Sequence, residues 1–340
     1  TTNLFLLIII GIVLLLKLKI SKKNNMKNKT ILIIGGTGAL GKTLTQRYYD
    51  NNEIIILSRD EHKHVNMQRD FPNAKYCIGN IKDKGSLLQA LNEYKPQIVI
   101  NTAALKHVPI CESNPYESVK TNIIGHKNLI DSVAVCNHQI ETLMFISTDK
   151  ACSPINVYGQ CKAISERLYV DFANKQSDIK VCLCRYGNVL ESTGSVIPYF
   201  KQLLDNGDDE LPITHKDMTR FLLTLDQAVN LIEWSYNNSS SHGKIIVPMI
   251  KALKIVDIAK SLGRSYGYAD IKLKYVGVRP GEKLHEAMIS ETESFRTETE
   301  GEYYMITDDI ISENSWTFSS DNSLMDPNET DLFLQQSSVI

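Results

Sequence analysis

The stretch TILIIGGTGALGKTLTQRYY, residues 30–49, carries three signals in succession. Ile31 to Ile34 is an apolar run of strand length, a glycine-rich turn follows it, and Leu40, Leu44 and Tyr48 then recur on one face of a helix. A strand that is apolar at every position is covered on both faces, as strands of parallel sheets are. Gly35, Gly38 and Gly41 stand at GxxGxxG spacing where the strand hands over to the helix. Glycine there permits the tight turn and a close backbone approach to a pyrophosphate, which sits at the positive helix end. Thr37, Ala39 and Leu40 complete the turn and join the three glycines as cofactor-binding candidates.

Working outward, the runs EIIILSR (53–59), KYCIG (75–79), QIVINTAA (97–104), TLMFIST (142–148) and KVCLCRYGNV (180–189) repeat the strand signal, with helical patterns between several of them. This alternation predicts an α/β chain: a Rossmann-like doubly wound parallel sheet with a smaller C-terminal substrate-binding region. Ligands of such sheets bind at the carboxyl ends of the strands, so the residues directly after each run matter most. After the second run stand Ser58 and Arg59, where an NAD-binding chain carries an acid. A cation there suits a 2′-phosphate, which points to NADP rather than NAD. Asn80 and Ile81 follow the third run, and Ala103 and Ala104 end the fourth, which puts all four on the cofactor's edge.

With 340 residues, 43% of them hydrophobic and 22% charged, the chain can bury a large core. The net charge of −2 hides an uneven spread: six Lys and no acid in residues 1–29, twelve acids and a single Arg in residues 291–340. Neither end suggests nucleic acid. Seven cysteines without regular spacing give no disulfide framework and no paired CxxC metal site, and no metal is expected. Cys182 and Cys184 read as small buried thiols in a protein of a reducing compartment. LFLLIIIGIVLLL, Leu4 to Leu16, is short for a membrane span unless Leu18 and Ile20 are counted. Residues 4–20 read either as an anchor, with the following lysines holding the rest on the cytoplasmic side, or as a non-native extension ahead of Met26. On both readings the remainder is cytoplasmic.

STDKACSPINVYGQCK, residues 147–162, gathers Thr148, Asp149, Lys150, Tyr158 and Lys162 directly after an apolar run. Tyr158 and Lys162 are i and i+4 and share a helix face, so the ammonium is expected to ease ionisation of the phenol. The spacing alone is weak, because Tyr116 with Lys120 and Tyr268 with Lys272 show it too. Only the middle pair follows a strand end and a Ser/Thr at the right distance.

GGTGALG, NTAALKHVP (101–109), STDK and YGQCK together resemble the extended short-chain dehydrogenase/reductase superfamily. STDKACSPINVYGQCKAISE, RYGNV (185–189), GSVIPYF (194–200), MTRFLLTLDQAV (218–229) and GVRPGEKLHEAMIS (277–290) narrow the likeness to the inverting UDP-N-acetylglucosamine 4,6-dehydratases, over about residues 29 to 290. Asn80 departs from the superfamily, which more often has Asp there. The resemblance implies that Tyr158 takes the sugar O4 proton, that Lys150 is the base at C5 and Asp149 the acid at C6, and that Thr148 binds the sugar near O4. A working Lys150 base calls for a depressed pKa, which burial beside Lys162 would favour. The resemblance further places Lys106, Asn188, Val189, Arg220, Arg279 and Glu282 on a UDP-N-acetylhexosamine, with the two arginines on its diphosphate. It implies a homo-oligomer paired through helices such as 116–137 and 157–174. A UDP-sugar 4-epimerase would need Tyr158 and Lys162 but leave Asp149 and Lys150 idle; a non-catalytic NADP-binding scaffold would need none of them. The expected organisation is a leader (1–25), an NADP-binding Rossmann domain (26–185), a nucleotide-sugar-binding region (186–290, with 221–247 returning to the Rossmann domain) and an acidic tail (291–340).

Overall fold

The computed structural model describes residues 26–190 and 195–340, so the expected anchor at 4–20 lies outside it. Among the described residues no helix is long and apolar enough to cross a membrane. The strands are β1 (Thr30–Ile34), β2 (Glu53–Ser58), β3 (Lys75–Ile78), β4 (Ile98–Asn101), β5 (Thr142–Ile146), β6 (Lys180–Cys184), β7 (Asn188–Val189), β8 (Glu210–Ile213), β9 (Thr219–Leu223), β10 (Ile245–Pro248), β11 (Ala252–Lys254), β12 (Lys272–Tyr275), β13 (Ala287–Ile289), β14 (Thr297–Glu300), β15 (Tyr303–Ile306) and β16 (Phe318–Ser319). Nine of them form one sheet in the order β14-β15-β10-β6-β5-β4-β1-β2-β3. From β3 to β10 every pairing is parallel, and β15 and β14 close the edge in antiparallel fashion. The order 3-2-1-4-5-6 is that of the doubly wound dinucleotide-binding sheet.

The unbroken apolar runs have a direct cause in this arrangement. Leu32 and Ile34 of β1 enter a core with Val99, Leu143, Phe145 and Leu183, whereas Ile31 and Ile33 enter a second core with Ile54, Ile98, Met144 and Cys182. Successive side chains point to opposite faces, and helices cover both faces, so the strand interiors are apolar on both. Cys182 and Cys184 are buried in the second core, and all seven cysteines are free thiols. Helix Leu225–Asn237 packs on that face, and β10 continues the parallel sheet beside β6.

A smaller lobe is built on Ile197, Phe200, Leu204, Ile213, Leu222, Ile258 and Leu262. The acidic segment divides between the two parts. β14 and β15 extend the main sheet, while helix Pro327–Gln336, capped by Asp326 and Glu329, buries Leu334 in the smaller lobe.

Candidate functional site

The carboxyl ends of β1, β4, β5 and β6 meet on one edge of the sheet, and most of the expected residues lie there. At the end of β1 the chain turns through Gly35 at φ +77°, in the left-handed region that glycine favours. A Cβ at Gly35 would lie 2.8 Å from the Ala103 backbone nitrogen, so the turn is pressed against the end of β4. Helix Ala39–Tyr48 starts at Gly38 with no side-chain cap and no acid in its first turn. Its free N–H groups and positive end are thus left for an anion. Thr37 Oγ1 donates to Ser58 Oγ (3.1 Å), which lies 2.7 Å from His64 Nε2. Arg59 is exposed beside it and has no ion pair among the described residues. No acid occupies the ribose-reading position, and this cradle fits a dinucleotide. Asn80 spends its side-chain oxygen on the backbone N–H of Lys82 (3.1 Å), while Ile81 is buried under the helix that starts at Gly125.

At the end of β5 the chain forms a single helical turn, Asp149–Ala151, headed by Thr148. Helix Val157–Lys175 begins after Asn156, whose side-chain oxygen accepts from Gly159 N (2.8 Å). A Cβ at Gly159 would lie 2.2 Å from the Lys150 carbonyl oxygen, so only glycine lets the helix press this closely onto the turn. The contact brings the two halves of the sequence motif together. Thr148 Oγ1 donates to Asp149 Oδ1 (2.9 Å), and Lys150 Nζ donates to Asp149 Oδ1 (3.0 Å) and Asn188 Oδ1 (3.0 Å). Asp149 is fully buried, Tyr158 is 8% exposed and Lys162 2%.

Two charge states differ from the sequence expectation. Burial works to lower the Lys150 pKa, but Asp149 and Glu286 override it and raise the value, so Lys150 stands firmly protonated. The depressed lysine is Lys162. Buried under Ile146 O and over the Phe145 ring (4.0 Å), with only Glu166 to support its charge, it falls to about 7. Burial pushes the Tyr158 phenol up to about 12 against the opposing charge of Lys150 and a hydrogen bond with Thr148. The cation acting on the phenol is therefore Lys150 rather than Lys162.

Of the substrate candidates, Asn188 bonds Lys150, and Arg220, Arg279 and Glu282 group together. Arg220 (6% exposed) donates to the carbonyls of Thr219, Lys283 and Leu284, and lies 3.7 Å from Glu282. Arg279 is exposed and holds Glu282 through two hydrogen bonds (2.8 and 3.1 Å). Glu282 thus gathers both arginines. Val189 adjoins Asn188 on β7, and Lys106 is exposed on the loop after β4 with Ala104. Leu105 in that loop is clamped from both sides by the Asn122 side chain (2.8 and 2.9 Å). The other two Tyr/Lys pairs do different work: Lys120 lies over the exposed Tyr116 ring (4.6 Å), and Lys272 pairs with Asp209.

Sequence reasoning does not reach Glu286. It is 2% exposed, its Oε1 lies 3.5 Å from Lys150 Nζ, and its Oε2 has no hydrogen-bond partner. The available signal was an acid set between Leu284 and the apolar run that begins at Ala287, where burial demands a partner. Equally silent is the cluster beneath the site, where Arg185 binds Glu166 and Glu293.

Residues 31–308 match the family described as polysaccharide biosynthesis protein. A Campylobacter jejuni protein named UDP-N-acetylglucosamine 4,6-dehydratase (inverting) is 43% identical over 291 residues, 83% of this chain and 84% of that protein. A Rickettsia canadensis protein named UDP-glucose 4-epimerase is 36% identical over 289 residues, covering 82% and 83%. Among solved structures, Pen from Bacillus thuringiensis superposes with a TM-score of 0.85 at 27% identity, over 93% of this chain and 99% of that one. The chain therefore belongs to the polysaccharide biosynthesis protein family of the extended short-chain dehydrogenase/reductase superfamily.

Proposed function

We propose that this chain is an NADP-dependent UDP-N-acetylglucosamine 4,6-dehydratase that inverts C5, releasing UDP-2-acetamido-2,6-dideoxy-β-L-arabino-hexos-4-ulose. One observation carries the reading: Asp149 and Lys150, which an epimerase has no use for, are bonded to each other in the same buried corner as Thr148 and Tyr158. A bound nicotinamide supplies a reversible hydride acceptor beside the sugar. Gly35, Thr37, Gly38, Ala39, Leu40 and Gly41 would hold its pyrophosphate; Ser58 and Arg59 its 2′-phosphate; Asn80, Ile81, Ala103 and Ala104 its adenine side. Tyr158 and Lys162 would line its nicotinamide end.

The protein's own residues supply the proton chemistry. Once its phenol has given up its own proton, Tyr158 Oη takes the O4 proton, with Thr148 holding O4, and Lys162 at a pKa near 7 can accept or pass on a proton at neutral pH. Once C4 is a ketone the C5 hydrogen is acidic. Lys150 must then be neutral and Asp149 protonated. Both conditions follow from a single proton passing from Lys150 Nζ to Asp149 Oδ1 along the hydrogen bond that joins them, 3.0 Å between the heavy atoms. Expelling water when the sugar binds favours that neutral pair over the ion pair, because desolvation penalises charge. Lys150 Nζ then removes the C5 proton, and Asp149 protonates the departing C6 hydroxyl, which leaves as water; the hydride taken from C4 would return to C6, and a proton added to C5 from the opposite face would give the inverted 6-deoxy product. Lys106, Asn188, Val189, Arg220, Arg279 and Glu282 would hold the UDP-sugar, with the exposed Arg279 exchanging its Glu282 partner for a diphosphate.

Incubation with UDP-N-acetylglucosamine in deuterium oxide, followed by proton NMR, tests this. The expected product is a 4-keto-6-deoxy sugar carrying deuterium at C5, and Lys150→Ala is expected to abolish both product and C5 exchange. UDP-N-acetylgalactosamine formed without loss of water would identify a 4-epimerase, and no turnover would leave a binding protein. Fluorescence titration is expected to show tighter binding of NADPH than NADH, with the preference lost in Arg59→Ala.

A further inference from the structure

Glu286 stands just before β13, outside the motif that carries Lys150, and three observations tie it to that amine. Its Oε1 lies 3.5 Å from Lys150 Nζ. Its other oxygen is buried without a hydrogen bond, with Lys283 Nζ 3.8 Å away. Its backbone is fixed from the acidic segment: Ser320 Oγ accepts from Glu286 N (2.9 Å), and Ser320 N donates back to Glu286 O (2.7 Å). A buried carboxylate left half-satisfied and locked in place by a distant part of the chain is expensive, and such groups are retained where they shape a neighbour's charge.

We propose that Glu286 is a positioning residue for Lys150: its carboxylate anchors Nζ opposite Asp149 and Asn188 and governs when the amine becomes free to take the sugar C5 proton. The inference rests on the dehydratase reading above. The charged groups facing Lys150 are Asp149 on its own turn, Glu286 from the β13 side, Arg220 from β9 and Tyr158 from helix Val157–Lys175, with Lys283 reaching Glu286. Asp149 and Glu286 raise the proton affinity of Lys150 and Arg220 lowers it. Removing the charge of Glu286 therefore makes the ammonium easier to deprotonate, so the acidic limb of the rate profile moves to lower pH. It also removes one of three anchors on Nζ, so turnover falls although the substrate still binds.

The test compares the wild-type chain with Glu286→Gln and Glu286→Asp, measuring dehydration of UDP-N-acetylglucosamine and C5 deuterium exchange across pH. For Glu286→Gln the expected result is an acidic limb of kcat/KM displaced downward by about one pH unit, kcat lowered roughly tenfold and KM within about threefold. Glu286→Asp keeps the charge but withdraws it by one methylene, and is expected to fall between the two. If Glu286→Gln does not fold, a limb for Glu286→Asp that coincides with the wild type overturns the proposal, as does a folded Glu286→Gln with the wild-type profile. A wild type that forms no dehydrated product overturns the dehydratase reading and this inference together, so the two failures are told apart by the wild-type arm.

Discussion

Two buried clusters in this chain have the same composition, one cation between two carboxylates, and opposite bonding. In the first, Arg185 directs all five of its N–H donors at Glu166, Glu293 and the Met288 carbonyl, and every oxygen of both carboxylates accepts at least one hydrogen bond. Ser147, Ser290 and Cys152 fill the remaining positions. In the second, Lys150 reaches Asp149 at 3.0 Å and Glu286 at 3.5 Å, and Asp149 Oδ2 and Glu286 Oε2 have no hydrogen bond. The planar, permanently charged guanidinium can satisfy two carboxylates at once, whereas an ammonium is a point charge whose proton can leave. The first cluster holds β5, β6 and the start of the acidic segment together. The second keeps its protons movable. Glu293 shows the contrast in its charge: burial alone would raise its pKa, but Arg185 overrides that and holds it down at about 2.

The comparison is most exposed to a matched pair of substitutions. Arg185→Met leaves two buried carboxylates without their partner, which costs about 3–5 kcal/mol, and is expected to appear as a large drop in the urea midpoint. Lys150→Met also removes a cation from two carboxylates, but Glu286 keeps Lys283 at 3.8 Å, Asp149 keeps the Thr148 hydroxyl (2.9 Å), and Lys150 itself is 16% exposed. Its stability is expected to change by only about 1 kcal/mol, while activity falls by roughly 10²–10⁴-fold with the base gone. Equal losses of stability in the two variants would erase the distinction drawn above.

Lys162 extends the comparison to a buried cation with no carboxylate at hydrogen-bond distance. Its pKa of about 7 in the folded chain lies well below the ordinary lysine value, because burial penalises the charge. The unfolded chain therefore binds one more proton than the folded one between pH 7 and the ordinary lysine range. The Lys162 contribution to stability accordingly rises with pH across that window, by up to ~1.4 kcal/mol per pH unit. The buried thiols and phenols titrate in the opposite sense, so the informative quantity is the difference between the wild type and Lys162→Met in urea melts at pH 7 and 8. Lys162→Met is expected to be the more stable at pH 7, with the gap narrowing at pH 8. A gap independent of pH would mean that Lys162 is paired after all.

What was legible in the sequence and what was not follow one physical division. The sheet could be read because each strand is covered on both faces, which forces runs such as ILII and IIIL, and because the turn at Gly35 demands glycine. Thr148, Asp149, Lys150, Tyr158 and Lys162 could be read because they are local, a turn and a helix joined by a short loop. The charge states could not. Whether Lys150 or Lys162 is the depressed lysine depends on Glu286, more than a hundred residues further along, and on how deeply the fold buries Lys162. Nor does composition reveal that part of the acidic segment forms two strands of the main sheet and that Glu293 neutralises Arg185. Long-range pairings of single polar residues leave no periodicity to detect.

Both clusters draw a carboxylate or its support from that C-terminal part of the chain, and Ser320 is where the open cluster depends on it most narrowly. Ser320 is fully buried; its Oγ lies 2.6 Å from Thr219 Oγ1, accepts from Glu286 N, and so links β9 to the residue that holds Lys150. Ser320→Ala leaves the Glu286 N–H and the Thr219 hydroxyl short of a partner. The expected cost is about 1–2 kcal/mol in urea unfolding, smaller than for Arg185→Met. Because Thr219 also meets His285 (2.8 Å), the hydroxyl keeps one contact, and the fold should survive. The consequence for activity separates the two clusters: a looser Glu286 is expected to move the acidic limb of the rate profile in the same direction as Glu286→Gln, by a fraction of its shift. If stability falls but the pH profile stays fixed, the C-terminal part of the chain braces the closed cluster alone and Lys150 is tuned entirely from its own turn.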